Sequence, residues 1–258
     1  ICIDLDNKAL SEAKIFLEEK LKNNSPKIFY INDNFRNIKS ILESLNIKNI
    51  DGLFADLGVS SQEIDISGRG FTFQKDEPLL MTLKDKINDN DLTAKKILNY
   101  WDEENIADII YYYADERYAR RIAKNICEER KVKEINTTFD LVEIISKSVP
   151  NNYKYGKIHF ATKTFQAIRI AVNDELRAEE ELLKALSYIL NINSRAGFLT
   201  FHSGEDRILK RIVRENKDKL KLIKINKNKD FLEPNKEEIK NNTRSRSAKL
   251  RIIEKYNT

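Results

Sequence analysis

The sequence has 258 residues, 34% of them charged and 41% hydrophobic, with a formal net charge of +5. That length supports one large domain or two modest ones with a self-sufficient core, and no apolar run approaches the roughly 18 residues a membrane span needs. Two cysteines and two histidines, all far apart in sequence, argue against a disulfide framework or a structural zinc site and fit a reducing cytoplasm.

The chain opens in mid-strand at Ile1-Cys2-Ile3-Asp4, with no charged segment leading into an apolar one as a secretory signal would have. Ile in first place leads us to expect a natural N-terminus further upstream. Asp4 closes this strand, and Asn7 to Lys22 reads as a helix with Leu10, Ala13 and Leu17 on one side. An acidic residue ending the second strand of a doubly wound sheet holds ribose hydroxyls; capping the helix is an equal reading of Asp4. A turn at Asn23-Asn24-Ser25-Pro26 leads to a strand over Lys27–Ile31. Beyond it Phe35 either stacks on a nucleobase or plugs the core. Ile38–Leu45 reads as a helix.

The organising stretch runs from Asp51 to Gln62: a short buried-strand run, Leu53 to Ala55, stops at Asp56, Leu57, Gly58 and two serines. Ligands of open α/β sheets sit beyond the carboxyl ends of strands, so Asp56 reads as a site residue beside a close backbone approach. Alone, the motif is better explained as a strand-end turn.

Residues 65–84 are irregular and carry Gly68-Arg69-Gly70-Phe71-Thr72-Phe73. A loop this long is usually functional, and this one suits a mobile flap over a flat substrate. From Asp91 to Val149 the pattern is helical: Leu92–Trp101 capped by Asp91, Ile106–Ala114, Tyr118–Arg130 and Leu141–Val149. Arg117, Arg120, Arg121 and Lys124 give the third of these a basic side, which serves equally as a solvated face or an RNA-facing one. Helices placed between two strands of a sheet read as an inserted domain, so the expected organisation is 1–84 and 158–258 forming one domain around an insert at 85–157.

A long helix is expected from Thr162 to Leu190. Phe165, Ile168, Val172 and Leu176 form its buried stripe, and Thr162, Gln166, Arg169 and Asn173 a polar one that suits the wall of a cleft. The strand Ala196–Phe201 follows, ending at His202-Ser203-Gly204-Glu205-Asp206-Arg207. Ser203 with Asp206 resembles a capping box, at a helix start able to bind phosphate. His202 reads as a structural histidine ahead of an acid or base. Lys219–Asn226 and Lys249–Tyr256 complete the sheet. Between them Asn241-Asn242-Thr243-Arg244-Ser245-Arg246-Ser247 is a basic, hydroxyl-rich loop suited to phosphate contacts. From Arg207 to Thr258 there are 17 Lys plus Arg against 7 Asp plus Glu, leaving 29 against 34 in residues 1–206. A basic final fifth on a mildly acidic body points to a polyanionic partner.

Several segments then carry a family likeness in order: Asp51–Ser61, Arg69–Phe73, Glu116-Arg117-Tyr118-Ala119-Arg120-Arg121-Ile122-Ala123, Ala161–Leu176, Phe201-His202-Ser203 with Glu205-Asp206-Arg207, and Arg244–Arg251. Together they resemble the RsmH/MraW family, S-adenosylmethionine-dependent methyltransferases that modify the 4-amino group of a cytosine in the decoding region of 16S ribosomal RNA. The resemblance implies an α/β fold built on a class I (Rossmann-like) methyltransferase sheet, lacking its first strand here, with an inserted all-helical substrate-recognition domain. That strand, with a Gly-Gly-His loop for the methionine part of the cofactor, belongs between the strands ending at Asp4 and Asp56.

The resemblance further places Asp4 at the cofactor ribose and Phe35 near its adenine. Asp56 falls at the methionine end beside the reacting amine, and Glu63 where the family has a cofactor-contacting Gln. Arg69, Phe71, Arg117, Arg121, Gln166, Arg169, Asn173, Ser203, Arg207, Arg244 and Arg246 are the expected RNA contacts, with Phe71 or Phe73 stacking on the target base. The small ribosomal subunit is the expected partner; no metal and no membrane are implied, and a homodimer is one admissible assembly. Gly204 departs from a usual Leu. The rivals are a non-catalytic RNA-binding remnant and a DNA amino-methyltransferase. Against the latter stands the lack of an Asp/Asn-Pro-Pro-aromatic tetrapeptide after the fourth strand.

Overall fold

The computed structural model describes residues 1–21, 26–225 and 229–257, so the expected turn at Asn23–Ser25 and the strand end at Asn226 lie outside the described residues. The fold is mixed α/β and divides into two compact units. A sheet unit is formed by Ile1–Gly58 and Leu176–Thr258, and a helical unit by Val59–Glu175.

In the sheet unit, β1 (Cys2–Asp4), α1 (Asn7–Lys20) and β2 (Tyr30–Asn32) form a right-sized crossover. The two strands pair in parallel with Cys2 opposite Tyr30 and Asp4 opposite Asn32, as a strand–helix–strand run requires. After α2 (Ile38–Ser44) comes β3 (Ile50–Asp56), which pairs in parallel with β4 (Leu190–Thr200), Leu53 facing Ala196 and Asp56 facing Leu199. The helical unit's helices, α3 (Ser61–Asp65), α4 (Ala94–Tyr100), α5 (Glu103–Ala114), α6 (Ala119–Glu129), α7 (Thr138–Ser148), α8 (Asn151–Lys154) and α9 (Thr162–Asn173), fall in sequence between these two strands. The sheet unit resumes with α10 (Glu175–Ile189) before β4, then α11 (Ser203–Glu215), β5 (Leu220–Leu222), α12 (Lys236–Asn241) and β6 (Lys249–Lys255).

The larger sheet has the order β3–β4–β6–β5, with β6 antiparallel to both neighbours. The strands β1 and β2 form a separate pair. Among the described residues β1 and β3 therefore each pair along one edge only. The core of this unit gathers Leu182, Leu183 and Leu186 of α10, Ala196 and Phe198 of β4, Leu209 and Ile212 of α11 and Ile253 of β6. Ala196 and Phe198 alternate along β4 and so point to one face. On the face lined by Gly52, Phe54, Gly197, Leu250 and Ile252, Phe54 stays 67% exposed. A Cβ at Gly197 would come within 3.0 Å of its ring.

The helical unit packs Ile97 and Leu98 of α4, Ile106 and Ile110 of α5, Ile122 and Ile126 of α6, Leu141 and Ile145 of α7 and Phe165 and Ile168 of α9 into one core. Two of its helices start at side-chain caps of this kind: Thr93 accepts from Lys96 N at the start of α4, and Thr137 with Asp140 forms a capping box on α7. Asp91, the expected cap of α4, instead accepts from the backbone of Asn88 and pairs with Lys84.

Two expectations change here. The loop over 65–84 is tied down: Leu79 and Met81 are fully buried, Pro78 bridges Thr137, and Met81 N donates to Arg69 O at 2.7 Å. At Gly70, φ is +79° and a Cβ would stand 2.5 Å from the Pro78 carbonyl oxygen, so only glycine permits that approach. Finally, the helix expected from Thr162 to Leu190 breaks at Asp174, which is left-handed with φ 50°.

Candidate active site at the strand ends

The carboxyl end of β1 presents Asp4, an exposed carboxylate whose Oδ1 accepts the Asp6 amide at 2.8 Å. The cap of α1 is Asp6, which accepts from Lys8 N and Ala9 N. The helix-cap role weighed for Asp4 thus falls two residues later, leaving Asp4 at the strand end. Past β2, Asn34 caps a short 3-10 turn, Phe35–Asn37. Phe35 is half-buried there, packed against the sheet unit's core.

Asp56 ends β3 and is exposed rather than sunk in the core. Partial burial of its carboxyl, and then the negative charge of Glu205, hold it above the usual carboxylate range. Gly58 follows at φ +91°, and a Cβ there would meet Phe201 at 3.9 Å and Glu205 Oε1 at 4.0 Å. The backbone after Asp56 thus passes close to the start of α11.

That helix start differs from the expected Ser203–Asp206 box. The N-cap is His202, which accepts from Glu205 N, while the Glu205 carboxylate reaches back to the His202 and Phe201 amides at 3.2 and 2.7 Å. Three residues separate the partners, the spacing a capping box requires, so the pair is Glu205 with His202. Gly204 has a local reason: a Cβ there would lie 3.0 Å from His202 Nδ1, so glycine leaves the imidazole room to fold back as a cap. His202 Nε2 stands 3.1 Å from Glu205 Oε1. The Nδ1 serves the cap, while among the described residues the buried Nε2 makes no hydrogen bond. Asp206 instead pairs with Lys210 at 2.9 Å and with the buried Arg251. Ser203 and Arg207 lie on α11, and Arg244 and Arg246 are exposed on the turn Thr243–Ser247.

In the helical unit the expected site residues are largely engaged by their own chain. Glu63 forms a capping box with Ser60: its Oε2 accepts Ser60 N at 2.6 Å and Ser60 Oγ accepts Glu63 N at 3.1 Å. Arg69 lies 4.0 Å from the other Glu63 oxygen. Its guanidinium sits 5.5 Å over the ring of Phe71, which is buried in the unit's core. Phe73 stacks on His159 with centroids 4.4 Å apart. Arg169 makes a bidentate pair with Glu175 at 2.9 and 2.8 Å. Asn173 donates to Met81 O and Arg169 O and accepts from Leu83 N. Gln166 is half-buried on α9, and Arg117 and Arg121 are exposed at the start of α6.

Sequence reasoning passes over two buried acids. Glu205 is 3% exposed, and its signal was the spacing from His202. Glu179 on α10 is 1% exposed and neither oxygen has a partner. Burial, then the charges of Glu205, Asp206 and Glu180, push its carboxyl up to about 10. No sequence pattern marks it, since a Glu among Ala178, Glu180 and Glu181 reads as helix surface.

Comparison with known proteins bears on this arrangement. The MraW methylase family model matches residues 1–256. A protein from Finegoldia magna named ribosomal RNA small subunit methyltransferase H is 42% identical over 273 residues, covering 99% of this chain and 84% of the relative. Proteins of the same name from Thermosipho melanesiensis and Brevibacillus brevis are 43% and 40% identical, again over 99% of this chain and 82% and 83% of their own lengths. With the match running from the strand ending at Asp4 to the last strand of the sheet, the chain belongs to the MraW methylase family.

Proposed function

We propose that the chain transfers a methyl group from S-adenosylmethionine to the exocyclic 4-amino group of a cytosine in the decoding region of 16S ribosomal RNA, acting in the cytoplasm on the small ribosomal subunit or its RNA. Family membership and the relatives' names support the reaction class. The observation that carries the assignment to this site is Asp56, an exposed carboxylate at the end of β3.

The residues fit the cofactor's chemistry. Ribose hydroxyls are donors, and Asp4 offers an exposed acceptor at a strand end. Asp56 offers a negative charge suited to a sulfonium, and Phe35 an aromatic surface for the adenine. Glu63, used by its own helix cap, is left out of this set. When bound, S-adenosylmethionine supplies an electrophilic methyl group. The chain has to solve a different difficulty, because the cytosine amine's lone pair is delocalised into the ring. On this reading Asp56 accepts a hydrogen bond from the amine N–H and so localises that pair towards the methyl. The methylated amine sheds its proton readily, so no strong base is needed. The Rossmann-like class of the sheet belongs to the same proposal, with β1 and β3 flanking the place of the family's first strand. The helical unit is the substrate-recognition insert.

A second reading is an RNA-binding chain that does not take up the cofactor. Calorimetric titration of S-adenosylmethionine into the chain, and into a form extended at its N-terminus, separates the two. Binding by the chain or by the extended form supports the enzyme; binding by neither supports the second reading.

A further inference from the structure

The turn leading into α6 carries an arginine held in an unusual way. The Arg117 guanidinium carbon lies 4.8 Å from the ring centroid of Tyr118 and 5.0 Å from that of Tyr153. The two rings meet edge-on at 5.0 Å and 74°, forming a corner. One buried carboxylate fixes both walls of that corner. Glu116 is 0% exposed; its Oε2 accepts the Tyr153 hydroxyl and its Oε1 accepts the Tyr118 amide at 2.9 Å. Burial and the Glu116 hydrogen bond hold the Tyr153 phenol above its ordinary range, so it remains a donor. A fully buried carboxylate is expensive unless hydrogen-bonded, and here its bonds go to the two residues that flank Arg117.

Arg117 itself is exposed. Among the described residues no carboxylate pairs with Arg117, Arg120 or Arg121. Some other cations of the same unit are paired, among them Lys95 with Glu134, Lys133 with Asp140 and Lys147 with Glu129. An exposed guanidinium held within 5.0 Å of two aromatic rings keeps its N–H fork available and is matched to the two oxygens of a phosphodiester. Arg120 and Arg121 beside it supply charge without such orientation.

We propose that Arg117 is the anchor of a backbone-phosphate grip for single-stranded RNA on the helical unit, and that Glu116 and Tyr153 are its positioning residues. This rests on the reading of the chain as an RNA-modifying enzyme and adds the mode of contact. Its distinguishing consequence is that charge alone does not suffice at position 117.

The test is fluorescence anisotropy of the full chain with a labelled single-stranded oligoribonucleotide across a salt series, with thermal melting of each variant as a folding control. Arg117→Ala weakens binding about tenfold and lowers the log–log salt slope by about 0.7, one phosphate's share on a single strand. Arg117→Lys keeps the slope but still loses about fivefold, because the stacked fork is gone. Tyr153→Phe, which keeps the ring and removes the tie to Glu116, falls between wild type and Arg117→Lys. If Arg117→Lys binds as wild type, or Arg117→Ala leaves the slope unchanged, the grip is overturned while the enzymatic reading stands. If the wild-type chain does not bind the oligoribonucleotide, the grip falls, and methyl transfer to the small subunit decides the enzymatic reading separately.

Discussion

Glu205 on α11 and Asp56 at the end of β3 are electrostatically joined: the buried carboxylate of one raises the pKa of the other, in addition to the effect of burial. Glu205 is held by its capping bonds to Phe201 and His202, so its charge sits at a fixed place beside the Asp56–Gly58 turn. Ionised Asp56 is a stronger acceptor for the amine N–H than its protonated form. Its raised pKa therefore sets an acidic limit on activity, the rate falling as pH drops through that value.

Replacing Glu205 with Gln removes the nearby charge. The Asp56 pKa falls, and the acidic limb of the kcat/KM profile moves to lower pH. The measurement is a pH–rate profile of both forms. A limb that stays in place while the melting temperature drops shows a cap and nothing more.

Glu179 makes a second pH dependence, this time of stability. Its carboxyl is pushed up to about 10 in the fold from an ordinary 4.5, so the folded chain keeps a proton that the unfolded chain releases. Stability is full below the unfolded value and declines as pH rises from about 4.5 towards 10. Glu179→Leu removes a buried, unpartnered acid and flattens that decline. At pH 8 the gain is on the order of a few kcal/mol, read from denaturant melts at several pH values. A wild-type stability that does not fall over this range contradicts the prediction.

Asn173 separates architecture from recognition. Its amide joins α9 to the backbone of Met81 and Leu83. Asn173→Ala therefore destabilises the helical unit by about 1–3 kcal/mol, the cost of leaving buried backbone groups unmatched. A variant with unchanged melting and a raised KM for RNA would return Asn173 to the substrate.

Much of this was legible in the residues. Asp56, Gly58 and the short apolar run before them mark a strand end, and the sheet carries Asp56 there as an exposed residue. Helix caps read less well: the cap expected at Asp91 is Thr93, and the box expected at Ser203–Asp206 is His202 with Glu205. The break at Asp174 did not read, because the apolar stripe Phe165, Ile168, Val172, Leu176 runs straight across it. What breaks the helix is non-local: Asn173 turns its amide to a segment some ninety residues earlier, and Asp174 takes the left-handed cap. The 65–84 segment reads as a flap because it lacks periodicity, although Leu79-Leu80-Met81 already held the apolar side chains that bury it. Glu63 reads as a contact by its place in the motif, while its spacing from Ser60 makes it a cap.

The most direct measurement is transfer of a labelled methyl group from S-adenosylmethionine to small-subunit ribosomal RNA by the wild-type chain and by Asp56→Asn, with the modified nucleoside identified by mass. The account predicts label in N4-methylcytidine for the wild type and a loss of about a hundredfold or more in the variant, which keeps its fold but loses the acceptor charge. Equal transfer by Asp56→Asn, or label in a different nucleoside, would contradict it.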